Sequence, residues 1–173
     1  MKSSVKYLTV VRHAKSSWDY PNLTDHARPL NDRGLRDAPR MAQLYAAEVD
    51  QPDLVISSTA VRAKETAGYF IDALSVNKSL IQYTERLYHA GPQEILSVLS
   101  EAPLDSKHVM IVGHNPGFTS FVNRMTGERF DNIPTCGVAV IRLRLNAWKE
   151  IRMGIGQLDQ YYYPKGDLGK HRI

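Results

Sequence analysis

The stretch YLTVVRHAK, residues 7–15, begins with a nearly continuous apolar run and turns abruptly to charged residues. Such a run, rich in β-branched residues, is typical of a strand that is buried on both faces of a parallel sheet. We predict a first strand over Tyr7–Arg12. Arg12 and His13 then lie at its carboxyl end, where open parallel sheets bind their ligands.

Two further stretches repeat this pattern of an apolar strand followed by His or Arg. LVIS, residues 54–57, leads into a segment that contains Arg62, and HVMIV, residues 108–112, leads into Gly113-His114-Asn115-Pro116-Gly117. We predict a strand over each apolar run. Because carboxyl ends of parallel strands share one edge of a sheet, the three segments are expected to converge on one crevice.

Helical patterns separate these strands. Asn31 is a good cap for a helix over Asp32–Val49, but Pro39 inside that pattern requires a kink or a later start. Three more helices are predicted: from a Ser58 or Thr59 cap to Leu74, over Pro92–Ser100, and from Pro116 after an Asn115 cap. The alternation predicts an α/β fold with a mostly parallel sheet.

The remaining strands are predicted at the edges of the sheet. Ser79–Tyr83 is a weak edge strand, and Val138–Leu145 pairs with Lys149–Leu158 in a closing antiparallel hairpin that turns at Asn146-Ala147. In the tail from Tyr161, we expect the three tyrosines to cover the sheet edge and the last residues, around Gly166 and Gly169, to fray.

Composition restricts the class of protein. The 173 residues suit a single domain, 1–173, and 43% hydrophobic with 23% charged residues excludes disordered, collagen-like and coiled-coil chains. The only cysteine, Cys136, cannot form an internal disulfide or a cysteine-based zinc site. Because no apolar run reaches about 18 residues and no signal-peptide pattern is evident, we expect a cytoplasmic protein that does not enter the membrane.

The net charge of +4 suits an anionic partner. The chain has no block of like charge and no basic stripe interleaved with aromatic residues, which disfavours nucleic acid as that partner. A glycine-rich Walker loop is also absent, so the sequence does not support nucleotide hydrolysis of that type.

The converging motifs contain two arginines and two histidines but no carboxylate, a combination that favours a doubly charged anion. The guanidinium groups of Arg12 and Arg62 match phosphate oxygens and stay charged. His13 lies between these cations, which should lower the pKa of its imidazole and leave a lone pair available as a nucleophile toward phosphorus.

Backbone groups are expected to assist. Helix starts at Thr59 and at Asn115-Pro116 offer N–H groups to an anion, and Gly113 and Gly117 are expected to let the backbone approach it closely.

The motifs resemble those of the histidine phosphatase superfamily, also called the phosphoglycerate-mutase-like family, from about Leu8 to Leu145. The segments that carry the resemblance are Arg12-His13-Ala14, STAVRAKETA at 58–67, and GHNPG at 113–117. The short chain and DHARPLNDRG at 25–34 are most similar to the SixA-type phosphohistidine phosphatase branch. The usual Arg-His-Gly is Arg-His-Ala here. The resemblance implies a three-layer α/β/α fold, a mostly parallel central sheet with an antiparallel edge.

The resemblance also implies roles for individual residues. His13 takes the phosphoryl group, while Arg12, Arg62 and His114 bind its oxygens and stabilise the charge during transfer. The family's proton donor is an acidic residue on a later loop, and Glu85 stands at the matching position.

Other residues near the expected pocket are open to more than one interpretation. His89 is a rival to Glu85 as proton donor, or simply a surface histidine. Lys15 either binds phosphate or is a solvated loop charge. We expect Lys15 to ring the pocket mouth together with Ser16, Ser17 and Arg28, and Trp18 and Tyr20 to form an apolar wall there or to pack beneath the loop.

We therefore expect a phosphatase that forms a phosphohistidine and acts on a phosphorylated protein histidine or a small phosphorylated molecule. Neither a metal nor another cofactor is expected, because the arginines supply positive charge. The alternatives are a phosphomutase, for which the short chain leaves little room for a lid, and a noncatalytic phosphate-binding module, which would not need a nucleophile.

Overall fold

A mixed sheet of six strands forms the centre of the molecule in a computed structural model that describes residues 4–165. The strands are β1 (Val5–Arg12), β2 (Leu54–Ser58), β3 (Ile81–Thr84), β4 (His108–Gly113), β5 (Val138–Arg144) and β6 (Gly156–Tyr162). Their spatial order is β3-β2-β4-β1-β5-β6. The first four are parallel, whereas β5 runs antiparallel to β1 and to β6. This arrangement confirms the predicted mostly parallel sheet with an antiparallel edge.

Four helices cover the sheet and complete the predicted three layers. They are α1 (Asp32–Glu48), α2 (Val61–Leu74), α3 (Pro92–Ser100) and α4 (Gly117–Thr126). One apolar cluster joins α1 and α2 to one face, with Tyr45 and Phe70 at its centre. The other joins α3 and α4 to the opposite face around Phe118 and Phe121. None of the helices among residues 4–165 is both long and apolar enough to cross a membrane.

The buried strand β4 lies between β1 and β2, so the carboxyl ends of these three strands are neighbours. The contact extends past the end of β1, where the His13 amide donates to the Gly113 carbonyl at 2.9 Å. The fold therefore brings the segments after these strands to one edge, as the sequence predicts.

Helix α1 begins where the sequence predicts. The Asn31 side chain accepts a hydrogen bond from the Gly34 amide at 2.9 Å, which satisfies one of the unpaired N–H groups at the helix start. The helix continues through Pro39, so a start later than Asp32 is wrong. Apolar side chains buried on both sides of Pro39, including Ala38 and Met41, hold this segment against the sheet despite the missing N–H.

The closing hairpin differs from the prediction in its second strand. Instead of starting near Lys149, β6 starts at Gly156. The reason is Trp148, whose ring is fully buried and whose Nε1–H donates to the Ser106 carbonyl at 2.8 Å. This contact draws residues 148–150 into a 3-10 turn away from the sheet.

The first tyrosines of the tail belong to the sheet. Tyr161 and Tyr162 are the last residues of β6, and the Tyr161 ring packs on Phe130 at 4.6 Å between centroids. They thus form part of the edge strand itself. The predicted fraying around Gly166 and Gly169 lies outside the described residues.

Candidate active site

His13 follows β1 directly and is almost fully buried. Its Nδ1 lies 2.7 Å from the Ala14 carbonyl oxygen. Because a carbonyl only accepts, Nδ1 carries the proton and donates, which leaves the lone pair on Nε2. Burial, reinforced by the charges of Arg62 and Arg12, lowers the pKa of His13 to about 3. The imidazole is therefore neutral near pH 7, with Nε2 available as a nucleophile.

His114 follows β4, and its ring centroid lies 5.1 Å from that of His13. Its Nε2 is 2.8 Å from Ser58 Oγ, which also accepts from the Ala60 amide at 3.2 Å. The Ser58 hydroxyl is thus best satisfied by donating to Nε2, so that the ring proton lies on Nδ1. Burial lowers the pKa of His114 to about 2, with help from the charge of Arg62. His114 is accordingly a neutral hydrogen-bond donor.

Two arginines complete the cationic part of the site. Arg62, in the first turn of α2, is only 2% exposed, and it donates from Nη1 to the Asp25 carbonyl at 2.6 Å and from Nη2 to Asp25 Oδ2 at 2.9 Å. Arg12 donates from Nη1 to the Ile133 carbonyl at 2.7 Å and to Asn132 Oδ1 at 3.3 Å. Both terminal nitrogens of Arg62, and Nη1 of Arg12, are thus anchored to loops.

Three buried nitrogens in these side chains have no hydrogen-bond partner among residues 4–165: Arg12 Nε, Arg62 Nε and His114 Nδ1. Buried polar groups are nearly always paired, and each unpaired one costs about 1–3 kcal/mol. Both arginines act electrostatically on His13, and the His114 ring lies against it. Unpaired N–H donors on side chains that act on His13 suit an anion with several oxygens, such as a phosphoryl group.

A carboxylate from outside the three converging motifs enters the site from the 3-10 turn Asp25–Ala27. Asp25 Oδ2 accepts from Arg62 Nη2 at 2.9 Å, Tyr88 Oη at 2.6 Å and His89 Nε2 at 3.1 Å, while Oδ1 accepts from Arg28. Partial burial acts in the opposite direction, but these hydrogen bonds hold the pKa of Asp25 well below its usual range. In the sequence, Asp25 belongs to the segment DHARPLNDRG that carries the similarity to the SixA type, but no role was assigned to it.

The segment after β3 contributes two rings. The centroids of Tyr88 and His89 lie 5.4 Å and 5.3 Å from that of His114, and 4.2 Å from each other. Glu85, the predicted proton donor, is exposed at the start of the 3-10 turn Glu85–Leu87. Within the described part of the chain, its side chain makes no hydrogen bond to Asp25 or to the histidines. The structure therefore brings His89 to the site and leaves Glu85 outside this network.

The residues expected at the pocket mouth differ in their roles. Ser16, Ser17 and Arg28 are buried, and Arg28 Nη1 donates to Ser16 Oγ at 2.9 Å. The guanidinium of Arg28 also lies 3.6 Å above the ring of Trp18, which is 73% exposed, so Trp18 stands at the surface rather than beneath the loop. Lys15 is half-buried, and its backbone carbonyl accepts from the Asn31 amide at 3.0 Å.

The helix after His114 starts one residue later than predicted: α4 begins at Gly117, so Pro116 takes the N-cap position, and Asn115, the predicted cap, precedes it. Asn115 Oδ1 accepts from the amide and the hydroxyl of Thr119 at 3.2 Å and 2.9 Å. Gly117 allows a close approach of the backbone, as expected, but the group that approaches it is the Ala90 carbonyl and not an anion. A Cβ at this position would lie 1.7 Å from the Ala90 carbonyl oxygen, so the glycine lets the segment that carries His89 pack against α4.

At the other expected helix start, the Thr59 side chain also contacts another part of the protein. Thr59 Oγ1 is paired with His26 Nε2 at 2.9 Å, and the helix begins two residues later, at Val61. Gly113 makes room for the ring of Phe118, since a Cβ there would lie 2.5 Å from that ring. Among residues 4–165, His, Cys, Asp and Glu side chains form no group arranged to hold a metal ion.

The chain is similar to known proteins in sequence and in fold. The family model of the histidine phosphatase superfamily (branch 1) matches residues 8–90. An uncharacterized protein of Mycobacterium tuberculosis is 31% identical over 170 residues, which cover 90% of this chain and all of the relative. The crystal structure of a candidate SixA phosphohistidine phosphatase from Agrobacterium tumefaciens is 30% identical, with a TM-score of 0.79 over 92% of this chain and 98% of that chain.

A more distant structure, phosphoglycerate mutase from Bacillus anthracis, shares the fold, with 15% identity and a TM-score of 0.62 over 84% of this chain and 91% of that chain. The chain therefore belongs to the histidine phosphatase superfamily and, within it, is of the SixA type. This membership supports phosphatase activity.

Proposed function

We propose that this protein is a phosphatase that forms a phosphohistidine at His13 and acts on the phosphorylated histidine of a protein. One observation carries the proposal. A neutral imidazole with its lone pair on Nε2 lies 5.1 Å from the His114 ring, between centroids, and is acted on by the charges of Arg12 and Arg62, and each of these three side chains has a buried N–H without a partner within residues 4–165. A site that only binds phosphate needs the donors but not the nucleophile, so this arrangement favours catalysis over a noncatalytic binding module.

In the first step, His13 Nε2 attacks phosphorus in line with the leaving group. A P–N bond forms, the bond to the leaving group breaks, and its electron pair departs with that group. The phosphoryl oxygens receive hydrogen bonds from Arg12 Nε, Arg62 Nε and His114 Nδ1, which stabilise their charge during transfer. The Ala14 carbonyl keeps the proton on His13 Nδ1 and stabilises the positive ring that forms.

In the second step, water attacks phosphorus from the side that the leaving group has vacated. The P–N bond breaks, its electron pair returns to His13 Nε2, and phosphate is released. A metal ion is not required for either step, because the two arginines supply the positive charge that a metal would otherwise provide.

Two observations support a protein substrate. The relative from Agrobacterium tumefaciens bears the name of a phosphohistidine phosphatase. In addition, the groups at the mouth of the site are accessible, since the side chains of Asp25 and His89 are 40% and 51% exposed. A phosphorylated side chain carried on another protein can reach such a site, whereas a sugar-phosphate mutase must close over its substrate before returning the phosphoryl group.

The test is to trap the phosphoenzyme. Incubation with a ³²P-labelled histidine-phosphorylated protein, followed by rapid denaturation, should give label that is stable in alkali and lost in acid, as a phosphoramidate is. His13→Ala should abolish labelling and turnover, while the matched histidine variant His26→Ala should retain the label. Turnover of more than a few per cent in a folded His13→Ala protein would refute the mechanism.

A chase distinguishes the mutase alternative. Addition of the unphosphorylated substrate protein to the labelled enzyme should release inorganic phosphate, because water is the acceptor. Transfer of most of the label to the added protein would identify a phosphotransferase instead.

A further inference from the structure

One imidazole at the site, that of His89, has no role in the mechanism above. His89 has a backbone φ of +52°, in the left-handed region that non-glycine residues seldom adopt. Such a conformation persists only where the surroundings impose it, and it often marks a functional position. Here the surroundings are the Asp25 carboxylate, 3.1 Å from His89 Nε2, and the neighbouring ring of Tyr88.

The other acidic groups near the site are poorly suited to protonate a leaving group. Asp25 remains a carboxylate, because its hydrogen bonds hold its pKa well below the usual range. Burial and the contact with Asp25 raise the pKa of Tyr88, whose hydroxyl proton is already donated to that carboxylate. Glu85 is exposed and outside the network. Within residues 4–165, His89 can carry a labile proton, and its ring lies 5.3 Å from that of His114.

The orientation of His89 follows from its partner. A carboxylate only accepts hydrogen bonds, so His89 Nε2 carries a proton and donates it to Asp25. The second ring nitrogen, Nδ1, is then the one that can give a proton away when the ring is an imidazolium. The ring lies 5.3 Å from that of His114, whose own Nδ1 is a proposed phosphoryl ligand. Because the side chain is half exposed, it can regain a proton from water.

We propose that His89 is the proton donor to the leaving group, that Asp25 is its positioning residue, and that the pair extends the substrates to phosphate monoesters of alcohols. This inference rests on the proposed function. As the P–O bond breaks, its electron pair stays on the leaving oxygen, and the proton of His89 Nδ1 moves to that oxygen. In the second step, Nδ1 takes a proton from the attacking water. An alkoxide needs this help, whereas nitrophenolate scarcely does.

The experiment compares kcat/KM for an alkyl phosphate with kcat/KM for p-nitrophenyl phosphate. General acid help is worth about 10²–10⁴-fold, so the ratio of the two values should fall by that factor in His89→Gln. Asp25→Asn should lower the same ratio, because the imidazole loses the carboxylate that orients it. His26→Ala, which removes another imidazole next to Tyr88, should leave the ratio unchanged.

Chemical rescue provides the second readout. Glycine accepts the backbone conformation of residue 89, so His89→Gly should fold, and the exposure of the site lets added imidazole enter. Imidazole should restore turnover of the alkyl phosphate in His89→Gly and have no such effect on His26→Gly.

An unchanged ratio in His89→Gln, or a fall of the ratio in Glu85→Gln instead, would overturn the assignment. So would the absence of rescue by imidazole. Labelling of His13 by p-nitrophenyl phosphate separates this failure from failure of the proposed function. If wild type is labelled while the ratio is insensitive to His89, only the proton donor is wrong; if wild type is never labelled, the nucleophile itself is wrong.

Discussion

Lowering the pH from 7.5 to 5 should destabilise this protein strongly, because residues 4–165 include three buried neutral histidines. Unfolded histidines bind a proton near pH 6.5. In the folded protein, burial above all lowers the pKa of His13, His108 and His114 to about 3, 4 and 2. Between pH 6.5 and about 4, the unfolded chain therefore binds up to three more protons than the folded one, and the free energy of unfolding falls as the pH falls.

The expected size of the effect follows from these pKa values. Each such proton changes the free energy of unfolding by about 1.4 kcal/mol per pH unit, so three protons give about 4 kcal/mol per unit. Between pH 6.5 and 5 the loss amounts to about 6 kcal/mol, comparable to the whole stability of a typical domain. Asp25, whose pKa is also lowered, adds to the loss only at still lower pH, below its ordinary value of 3.8.

Urea unfolding at several pH values measures this slope, with the fluorescence of the buried Trp148 as the probe. His108→Gln removes one of the three titrating histidines without touching the site, because His108 lies at the opposite end of β4. In the wild type, His108 Nε2 lies 2.8 Å from the Thr9 hydroxyl, and a glutamine can also bond to that hydroxyl. The slope should fall by about 1.4 kcal/mol per pH unit in this variant. Leu104→Ala, on the exposed surface, should keep the wild-type slope.

A flat stability profile between pH 7.5 and 5 in wild type would refute the reasoning, because the histidines would then be protonated in the fold. A slope that is equal in wild type and His108→Gln would show that His108 does not contribute.

Two further predictions concern the chemistry of the site. Arg62→Lys keeps the positive charge, but a lysine cannot replace the two bonds of Nη1 and Nη2 to Asp25 and also present a donor equivalent to Nε. We therefore expect kcat to fall by about 10²–10³-fold in steady-state assays. Full activity would show that the guanidinium is not a phosphoryl ligand. Activity should persist after dialysis against EDTA, because the arginines supply the positive charge; loss that one divalent ion restores would contradict the metal-free mechanism.

The amino-acid sequence alone was sufficient to predict the fold class and which segments lie next to His13. Apolar runs that end in Arg12-His13 and Gly113-His114 predict buried parallel strands, and this local pattern survives folding because β1 and β4 are adjacent and buried. The Asn31 cap of α1 was equally predictable, since a cap involves residues only three positions apart.

The antiparallel pairing of β5 with β6 was also predictable from the local pattern of two strands and a turn, but the residue at which β6 starts was not. Its position depends on a contact between Trp148 and Ser106, which are 42 residues apart in the chain. The pattern of apolar and polar residues within the segment itself does not predict such a contact.

The polar network around Asp25, by contrast, depends entirely on the tertiary structure. Asp25 lies 37 residues before Arg62 and 64 residues before His89, yet one carboxylate oxygen bonds both. Similarly, the space that Gly117 provides for Ala90 becomes apparent only when α4 meets the segment after β3. Strand and cap patterns arise from interactions between near neighbours, whereas proton positions in the site depend on burial and on partners that only the packed sheet brings together.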